Sequence, residues 1–360
     1  MDVSCWGELM GYTVLLAVGG SGGHLLPAQQ LAMLLGGEAR VVFAGSGLSK
    51  SPFFEREEFA FEDVEAAPLW PPVRFLKKGG RGFLQSVRLL KKLKPDVVVG
   101  FGSYHAFPVL AAAALLRKNI ILYEANSVLG KVNRLFAPLA HVMALQIPLQ
   151  KPVRARQQYV SYFPWLEQGG LWEKERALAF YGFDLSAPVC LVFGGSQGAA
   201  FLNGTAPSVL KGCQVIHCVG KLEALEGVRL AYEKLGIKAF VQVFESEMAR
   251  AYAAADFALC RSGAATTTEL IRYRVPAVMV PFPYAAENHQ QFNARFFCEE
   301  VKGGFWLEEK KAFCLREAVE TCLLQLEGLK QALQKFDQIE RKRVDLAQVV
   351  RSVGSCKDII

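Results

Sequence analysis

Two stretches of this chain run continuously apolar and then break into glycine. Tyr12 to Val18 ends in Gly19-Gly20-Ser21-Gly22-Gly23-His24, and Val189 to Phe193 ends in Gly194-Gly195-Ser196-Gln197-Gly198-Ala199. An unbroken apolar run is the pattern of a parallel strand covered on both faces, since a half-solvated strand would alternate. The glycine turn after each run leads into helix-forming sequence. Free N–H groups and the positive end of a helix dipole then converge on one place, which favours an anion. The chain therefore reads as two doubly wound α/β halves, each opening with a loop suited to phosphate.

The first loop is not a dinucleotide fingerprint. Leu25 stands where the third glycine of that pattern belongs, and the second strand, Arg40 to Ala44, runs into Gly45-Ser46-Gly47 with no acidic residue for a ribose. NAD is not expected, and no other cofactor is implied. His24, at the helix start, is a candidate general base, with a helix-capping role as the alternative. Two further strands end in polar loops. Pro95 to Gly100 leads to Phe101-Gly102-Ser103-Tyr104-His105, and Ile120 to Tyr123 leads to Glu124-Ala125-Asn126-Ser127. Ligands of doubly wound sheets bind outside the carboxyl ends of the strands, so contacts are expected at His24, Tyr104 and Asn126. His105 competes with His24 as a base.

Asp256 to Asn293 repeats this logic in the second half. Strand Phe257–Cys260 meets the turn Arg261-Ser262-Gly263-Ala264, a Thr-rich helix start carrying Glu269, a strand from Pro276 to Val280, and a helix start near Glu287 to Gln291. The turn and helix start suit an anion, with Glu269 placed to accept from sugar hydroxyls. The alternative is an ordinary capped helix with an exposed Glu.

At 360 residues, 52% hydrophobic and 21% charged, the chain has the size and composition of a folded two-domain protein. No apolar run reaches the roughly 18 residues of a spanning helix. The first residues, MDVSCWGELM, lack a basic n-region and read as the approach to a first strand rather than as a signal peptide. The nine cysteines are scattered without CxxC spacing, which points to reduced thiols and to no metal site. The net charge of +7 is moderate, so its placement matters more than its size. Residues 73–94 hold Arg74, Lys77, Lys78, Arg81, Arg88, Lys91, Lys92 and Lys94 with no acidic residue. Phe75, Leu76, Phe83 and Leu84 are interleaved among them, with Val87, Leu90 and Leu93 read as core and Phe75, Leu76 and Phe83 as exposed. Such a segment suits an anionic membrane surface, with a solvated helix as the alternative. Nucleic acid is not expected, because no binding module surrounds it.

Six motifs occur in one order along nearly the whole chain: GGSGGH at 19–24, FGSYHAFP at 101–108, EANSVLGKVN at 124–133, GGSQGAAFLN at 194–203, CRSGAATTTE at 260–269 and NHQQFNA at 288–294. Together they resemble the MurG family. The resemblance implies a GT-B architecture, two Rossmann-like parallel-sheet domains facing a cleft. It divides the chain into an acceptor and membrane-associating domain (1–160), a linker (161–185), a nucleotide-sugar domain (186–335) and a terminal helix (336–360) that returns to the first domain. It implies an inverting transfer of GlcNAc from UDP-GlcNAc to the MurNAc C4 hydroxyl of undecaprenyl-diphospho-MurNAc-pentapeptide, lipid I. The product is lipid II, made for peptidoglycan on the cytoplasmic face of the bacterial plasma membrane. Other cell-wall synthesis proteins are candidate partners.

By the same resemblance, Ser21, Gly22, Gly23 and His24 lie at the acceptor and the transferred sugar, with His24 as base. Asn126 contacts the donor, Ser196 the donor diphosphate, and Phe244, ending its strand, offers its backbone to uracil. Ala264, Ala265, Thr266, Thr267, Thr268 and Glu269 carry the nucleotide, with Glu269 on the ribose, and Gln290 or Gln291 meets the sugar. The family's inter-domain Arg is replaced here by Leu166, which makes Arg261 a candidate substitute. No Asp-x-Asp occurs, so the diphosphate is expected to be held by N–H groups and dipoles rather than by a metal. Another GT-B glycosyltransferase, a UDP-sugar epimerase and a catalytically impaired membrane scaffold remain open as rivals.

Overall fold

The computed structural model describes residues 11–68, 72–161, 172–195 and 198–354. The chain divides into two compact units. One comprises Met1–Ala125, Leu129–Phe163 and Arg343–Ile360; the other comprises Asn126–Val128 and Pro164–Lys342.

The first unit runs β1 (Tyr12–Ala17), α1 (Gly22–Leu34), β2 (Ala39–Gly45), β3 (Phe61–Asp63), α2 (Pro72–Leu93), β4 (Val97–Gly100), α3 (Phe107–Leu115), β5 (Asn119–Glu124), α4 (Lys131–Phe136), β6 (Val142–Leu145) and β7 (Gln157–Tyr159). The second runs α5 (Lys174–Tyr181), β8 (Val189–Phe193), α6 (Ala200–Val209), β9 (Gln214–Cys218), α7 (Leu222–Lys234), β10 (Ala239–Gln242), α8 (Met248–Ala254), β11 (Phe257–Cys260), α9 (Ala264–Tyr273), β12 (Ala277–Met279), α10 (His289–Arg295), β13 (Gly304–Trp306), α11 (Leu315–Leu324) and α12 (Leu326–Glu340). The chain re-enters the first unit at Arg343, so α12 stays with the second. The last helix, α13 (Leu346–Gly354), packs on β1, β4 and α1, and Arg351 donates to Glu38 at 2.7 Å and to the Leu34 carbonyl at 3.0 Å.

Both sheets are parallel. Their strand orders are β3-β2-β1-β4-β5-β6-β7 and β10-β9-β8-β11-β12-β13. In each, the order reverses beside the strand that precedes the glycine loop, at β1/β4 and at β8/β11. Loops from the two central strands leave in opposite directions there, which opens a crevice at the carboxyl edge. The continuous apolar runs suit these strands to the middle of each sheet: β4, β8 and β11 are apolar and buried at every position. Helices cover both faces, with Leu15, Val98, Leu110, Ile120 and Leu122 in one core and Val192, Leu202, Val215, Leu259 and Val278 in the other.

α9, which carries Glu269, is tied to α12 by charge. The fully buried Asp337 pairs with Arg272 at 3.3 Å, with Arg274 at 3.1 Å and with Arg341 at 3.1 Å. A buried carboxylate is tolerable only with such partners, and removing it strands cations that it desolvates. Asp337→Ala is therefore expected to cost about 3 kcal/mol in urea unfolding. A loss under about 0.5 kcal/mol would mean that the cluster does not hold the two helices together.

Candidate active site

In the first unit, β1 delivers the chain into a loop that only glycine permits. Gly20 has φ +93°, and a Cβ there would meet the His105 ring at 3.0 Å. Ser21 begins α1 without a side-chain cap, and its carbonyl accepts from the His24 and Leu25 N–H groups. Ser21 and Gly23 are exposed and Gly22 is half-buried, so the first-turn amides face outward.

His24 is half-buried, and its Nδ1 lies 2.7 Å from the Phe101 carbonyl oxygen at the end of β4. A carbonyl only accepts, so Nδ1 carries the proton and Nε2 of the neutral ring holds the lone pair. That is the tautomer a general base needs. His105 is used differently. Its Nδ1 bonds the Ser103 hydroxyl at 2.7 Å and its ring stacks on Tyr104 at 3.8 Å. Burial lowers its pKa, and the neighbouring His24 lowers it further. It supports the glycine loop, where a Cβ on Gly19 would lie 2.7 Å from the His105 Cβ. Tyr104 itself is exposed. Ser103 holds φ 66° and ψ 149°, a conformation costly for a residue with a side chain, and such strain clusters at functional sites.

Glu124 and Asn133 complete this edge. The buried Glu124 carboxylate accepts from the Gly130 N–H at 2.9 Å and from Asn133 Nδ2 at 3.1 Å. A Cβ on Gly102 would lie 3.4 Å from Asn133 Nδ2 and 3.6 Å from His24 Cε1, so these side chains crowd one turn. The sequence offered only a weak signal for Asn133, its place in the motif that begins at Glu124.

In the second unit, α9 begins at Ala264 with Gly263 as N-cap and no side-chain cap. The Thr-rich start does not present its hydroxyls. Thr266, Thr267 and Thr268 are buried; Thr267 donates back to the Gly263 carbonyl at 2.9 Å, and Thr268 to the Ala264 and Ala265 carbonyls. Thr267 and Thr268 thus spend their hydroxyls on carbonyls of the preceding turn. What faces outward is the set of first-turn N–H groups, the exposed Ala265 and the half-buried Glu269. Burial pushes the Glu269 pKa up to about 7, against a lowering hydrogen bond from Tyr252.

Arg261 does not stand in for the arginine absent at Leu166. Its buried guanidinium donates to the Val280 and Pro281 carbonyls at 3.0 and 3.3 Å and pairs with Glu309. A buried guanidinium must satisfy its donors, and these acceptors do so inside the unit. Nothing local in the sequence pointed to Glu309.

Gln290 fastens the loop after β12. Its side-chain oxygen accepts from the Phe282 N–H at 3.0 Å, and its carbonyl accepts from the Ser262 hydroxyl at 2.7 Å. Gln291 is half-buried beside it. Glu287 and Asn288, just before α10, have φ 54° and 56°. Asn293, three residues beyond Gln290, joins the turn at Ser262 to residues 126–128 of the same unit. It accepts from the Ser127 N–H at 3.0 Å and donates to Asn126 Oδ1 and the Ser262 carbonyl, both at 3.1 Å. The structure thus brings Asn126 together with the Arg261–Gly263 turn, a grouping with no sequence signal beyond the NHQQFNA motif.

Phe244 stands past β10, which ends at Gln242, and is 66% exposed. A loop rather than a strand displays it. The next residue, Glu245, pins that loop: it accepts from Tyr181, Gln242 and the Glu247 N–H and pairs with Arg250 at 2.8 Å. Burial would raise the Glu245 pKa, but the Glu247 N–H and its other donors bring it below the usual range. Ser196 and Leu166 lie outside the described residues. Among the described residues, no cluster of three or more His, Cys, Asp or Glu could hold a metal.

α2 exposes Lys77, Lys78, Arg81, Arg88, Lys91 and Lys92, with Leu84 58% exposed among them. Helical spacing aligns Lys77, Arg81, Leu84, Arg88 and Lys91 on one face. Phe83, expected outside, instead packs against the first core with Val87 and Leu93, because it lies on the opposite side of the helix from Lys77 and Arg81. The side chains of Phe75 and Leu76 lie outside the described set. Among the described residues no helix is long and apolar enough to cross a membrane.

Residues 14–145 match the glycosyltransferase family 28 N-terminal domain, and residues 189–349 match the glycosyltransferase family 28 C-terminal domain. A protein of Protochlamydia amoebophila is 37% identical over 313 residues, 83% of this chain and 83% of its own length. Its name is UDP-N-acetylglucosamine–N-acetylmuramyl-(pentapeptide) pyrophosphoryl-undecaprenol N-acetylglucosamine transferase. A protein of Chlamydia muridarum with the same name is 33% identical over 82% of this chain and 85% of its own. Among solved structures, Acinetobacter baumannii MurG superposes with a TM-score of 0.74 at 25% identity, over 95% of this chain and 98% of that one. Both halves of the family 28 pattern in order, on two sheets of GT-B type, with such relatives over most of their length, make this chain a member of the MurG family.

Proposed function

We propose that the protein is an N-acetylglucosaminyltransferase that moves GlcNAc from UDP-GlcNAc to lipid I, giving lipid II for peptidoglycan, with inversion at the anomeric carbon. The relative from Protochlamydia amoebophila, matched over most of both chains, carries this reading. The site chemistry agrees with it. His24, its Nδ1–H held by the Phe101 carbonyl, takes the proton of the acceptor hydroxyl on Nε2. The oxygen so activated attacks the anomeric carbon as the bond to UDP breaks on the opposite face, which inverts the centre. Charge grows on the departing diphosphate, and the first-turn N–H groups and dipole of α9 are suited to stabilise it.

The remaining assignments belong to the same reading. Ser21, Gly22, Gly23 and Tyr104 serve the acceptor. Asn126, Ser196, Gln290 and Gln291 serve the diphosphate and sugar, the backbone at Phe244 serves uracil, and Ala264, Ala265 and Glu269 serve the diphosphate and ribose. The basic stripe on α2 supports a peripheral association with the anionic cytoplasmic face of a bacterial plasma membrane, the surface that would carry a lipid-linked acceptor.

The test is conversion of lipid I to lipid II by purified protein with UDP-GlcNAc. Wild type forms product, and His24→Ala lowers kcat by ~100-fold or more, the scale of a lost general base. No product from wild type beside a working control overturns the assignment, and near-normal turnover in His24→Ala moves the base elsewhere. For the membrane, reversing Lys77, Arg81, Arg88 and Lys91 to Glu is expected to abolish co-sedimentation with phosphatidylglycerol vesicles at low salt. Unchanged co-sedimentation would remove the stripe from this role.

A further inference from the structure

Glu269 is held from below. Tyr252, on α8, donates its hydroxyl to Glu269 Oε2 at 2.6 Å. Tyr252 is only 2% exposed, its ring stacked on Tyr273 at 4.9 Å and set edge-on to Phe193 at 6.1 Å. Phe193 is the last residue of β8, so the tyrosine is braced between the strand that feeds the second glycine loop and the helix that carries the carboxylate. A buried phenol needs an acceptor, and this one has the Glu269 carboxylate.

A glutamate on a helix surface otherwise has large rotamer freedom, which binding would have to remove. Pinning one oxygen removes much of it in advance and turns the other toward whatever lies above the helix. We propose that Tyr252 is the positioning residue of Glu269, fixing one carboxylate oxygen so that the other is presented to the ribose diol of the nucleotide-sugar donor. This rests on the reading of Glu269 given above. No contact of Tyr252 with the donor is implied.

The contact also bears on protonation. Burial raises the Glu269 pKa to about 7, and the Tyr252 bond works against that rise by favouring the ionised form. The other groups around Glu269 do not supply that effect. Tyr273 on α9 and Cys260 at the end of β11 are themselves shifted upward by burial and stay neutral. Arg272 and Arg274 are bound to Asp337 of α12. On α10, His289 bonds the Ala286 carbonyl and Arg295 lies over Phe292 and Trp306; Arg261 is paired with Glu309. If the ionised carboxylate binds the diol, donor kcat/KM rises with pH through neutrality. Loss of the Tyr252 hydroxyl then moves that rise to higher pH.

The experiment is Tyr252→Phe, which removes one oxygen and keeps the ring, assayed with UDP-GlcNAc and lipid I across neutral pH. Donor KM is expected to rise roughly tenfold or more, the scale of a lost hydrogen bond to a charged group, with kcat changed far less. The acid limb of donor kcat/KM moves up in pH, a readout that a purely structural tyrosine would leave in place. On a Glu269→Gln background the same substitution adds no limb shift. Donor KM within twofold of wild type and an unmoved acid limb overturn the proposal. Should the Phe variant unfold, Glu269→Asp decides: it keeps the charge but falls short of Tyr252. A donor KM near that of Glu269→Ala supports positioning, and a wild-type KM overturns it. If Glu269→Ala itself leaves donor KM unchanged, the ribose assignment fails first, and the two failures are told apart.

Discussion

β4, β8 and β11 are apolar and covered on both faces, so their chemistry is pushed to their ends. That constraint shapes both units. The central strands are apolar throughout, their amides are committed to the ladder, and the free donors appear where strands stop and helices begin. Because the strand order reverses at β1/β4 and at β8/β11, the two most buried ends of each sheet open a crevice rather than a seam. His24, Tyr104, the Ser262 turn and Glu269 all lie just beyond those ends.

What the ends supply is orientation more than charge. His24 is oriented by one carbonyl, Glu269 by one phenol, and the Phe244 loop by the four donors gathered on Glu245. In each case a buried group with no freedom fixes one that is exposed or half-buried. Arg261 is the counter-example. It has the charge a diphosphate would attract, yet its donors are satisfied inside the unit by Val280, Pro281 and Glu309, so its part is to shape the loop after β12.

Much of this was legible in the sequence, for a simple reason. Apolar runs and glycine turns are local, and they located β1, β8, β11 and the loops after them. The positions of His24 and Glu269 were legible because each lies in the first two turns of a helix whose start the glycines mark. The partners were not, since they are distant in sequence: Glu309 is far from Arg261, and Tyr252 reads as an ordinary core aromatic in an Ala-rich helix. A Thr-rich helix start looks like a cap in sequence, but the Thr267 and Thr268 hydroxyls bond back to carbonyls of the preceding turn. Phe83 misled for a similar reason: an aromatic among lysines looks exposed until the helix face is known.

The return of the chain at Arg343 has a consequence for how the protein is made. Residues 164–342 form an insertion within the first unit, whose β1 waits for α13 to cover it. A ribosome releases the second unit whole while the first still lacks its final helix. Domains folding in order of synthesis would thus finish the second unit before the first. Among the described residues the first strand is covered by the last helix, so a nascent chain stopped before Leu346 would carry a finished second unit and a first sheet with β1 uncovered.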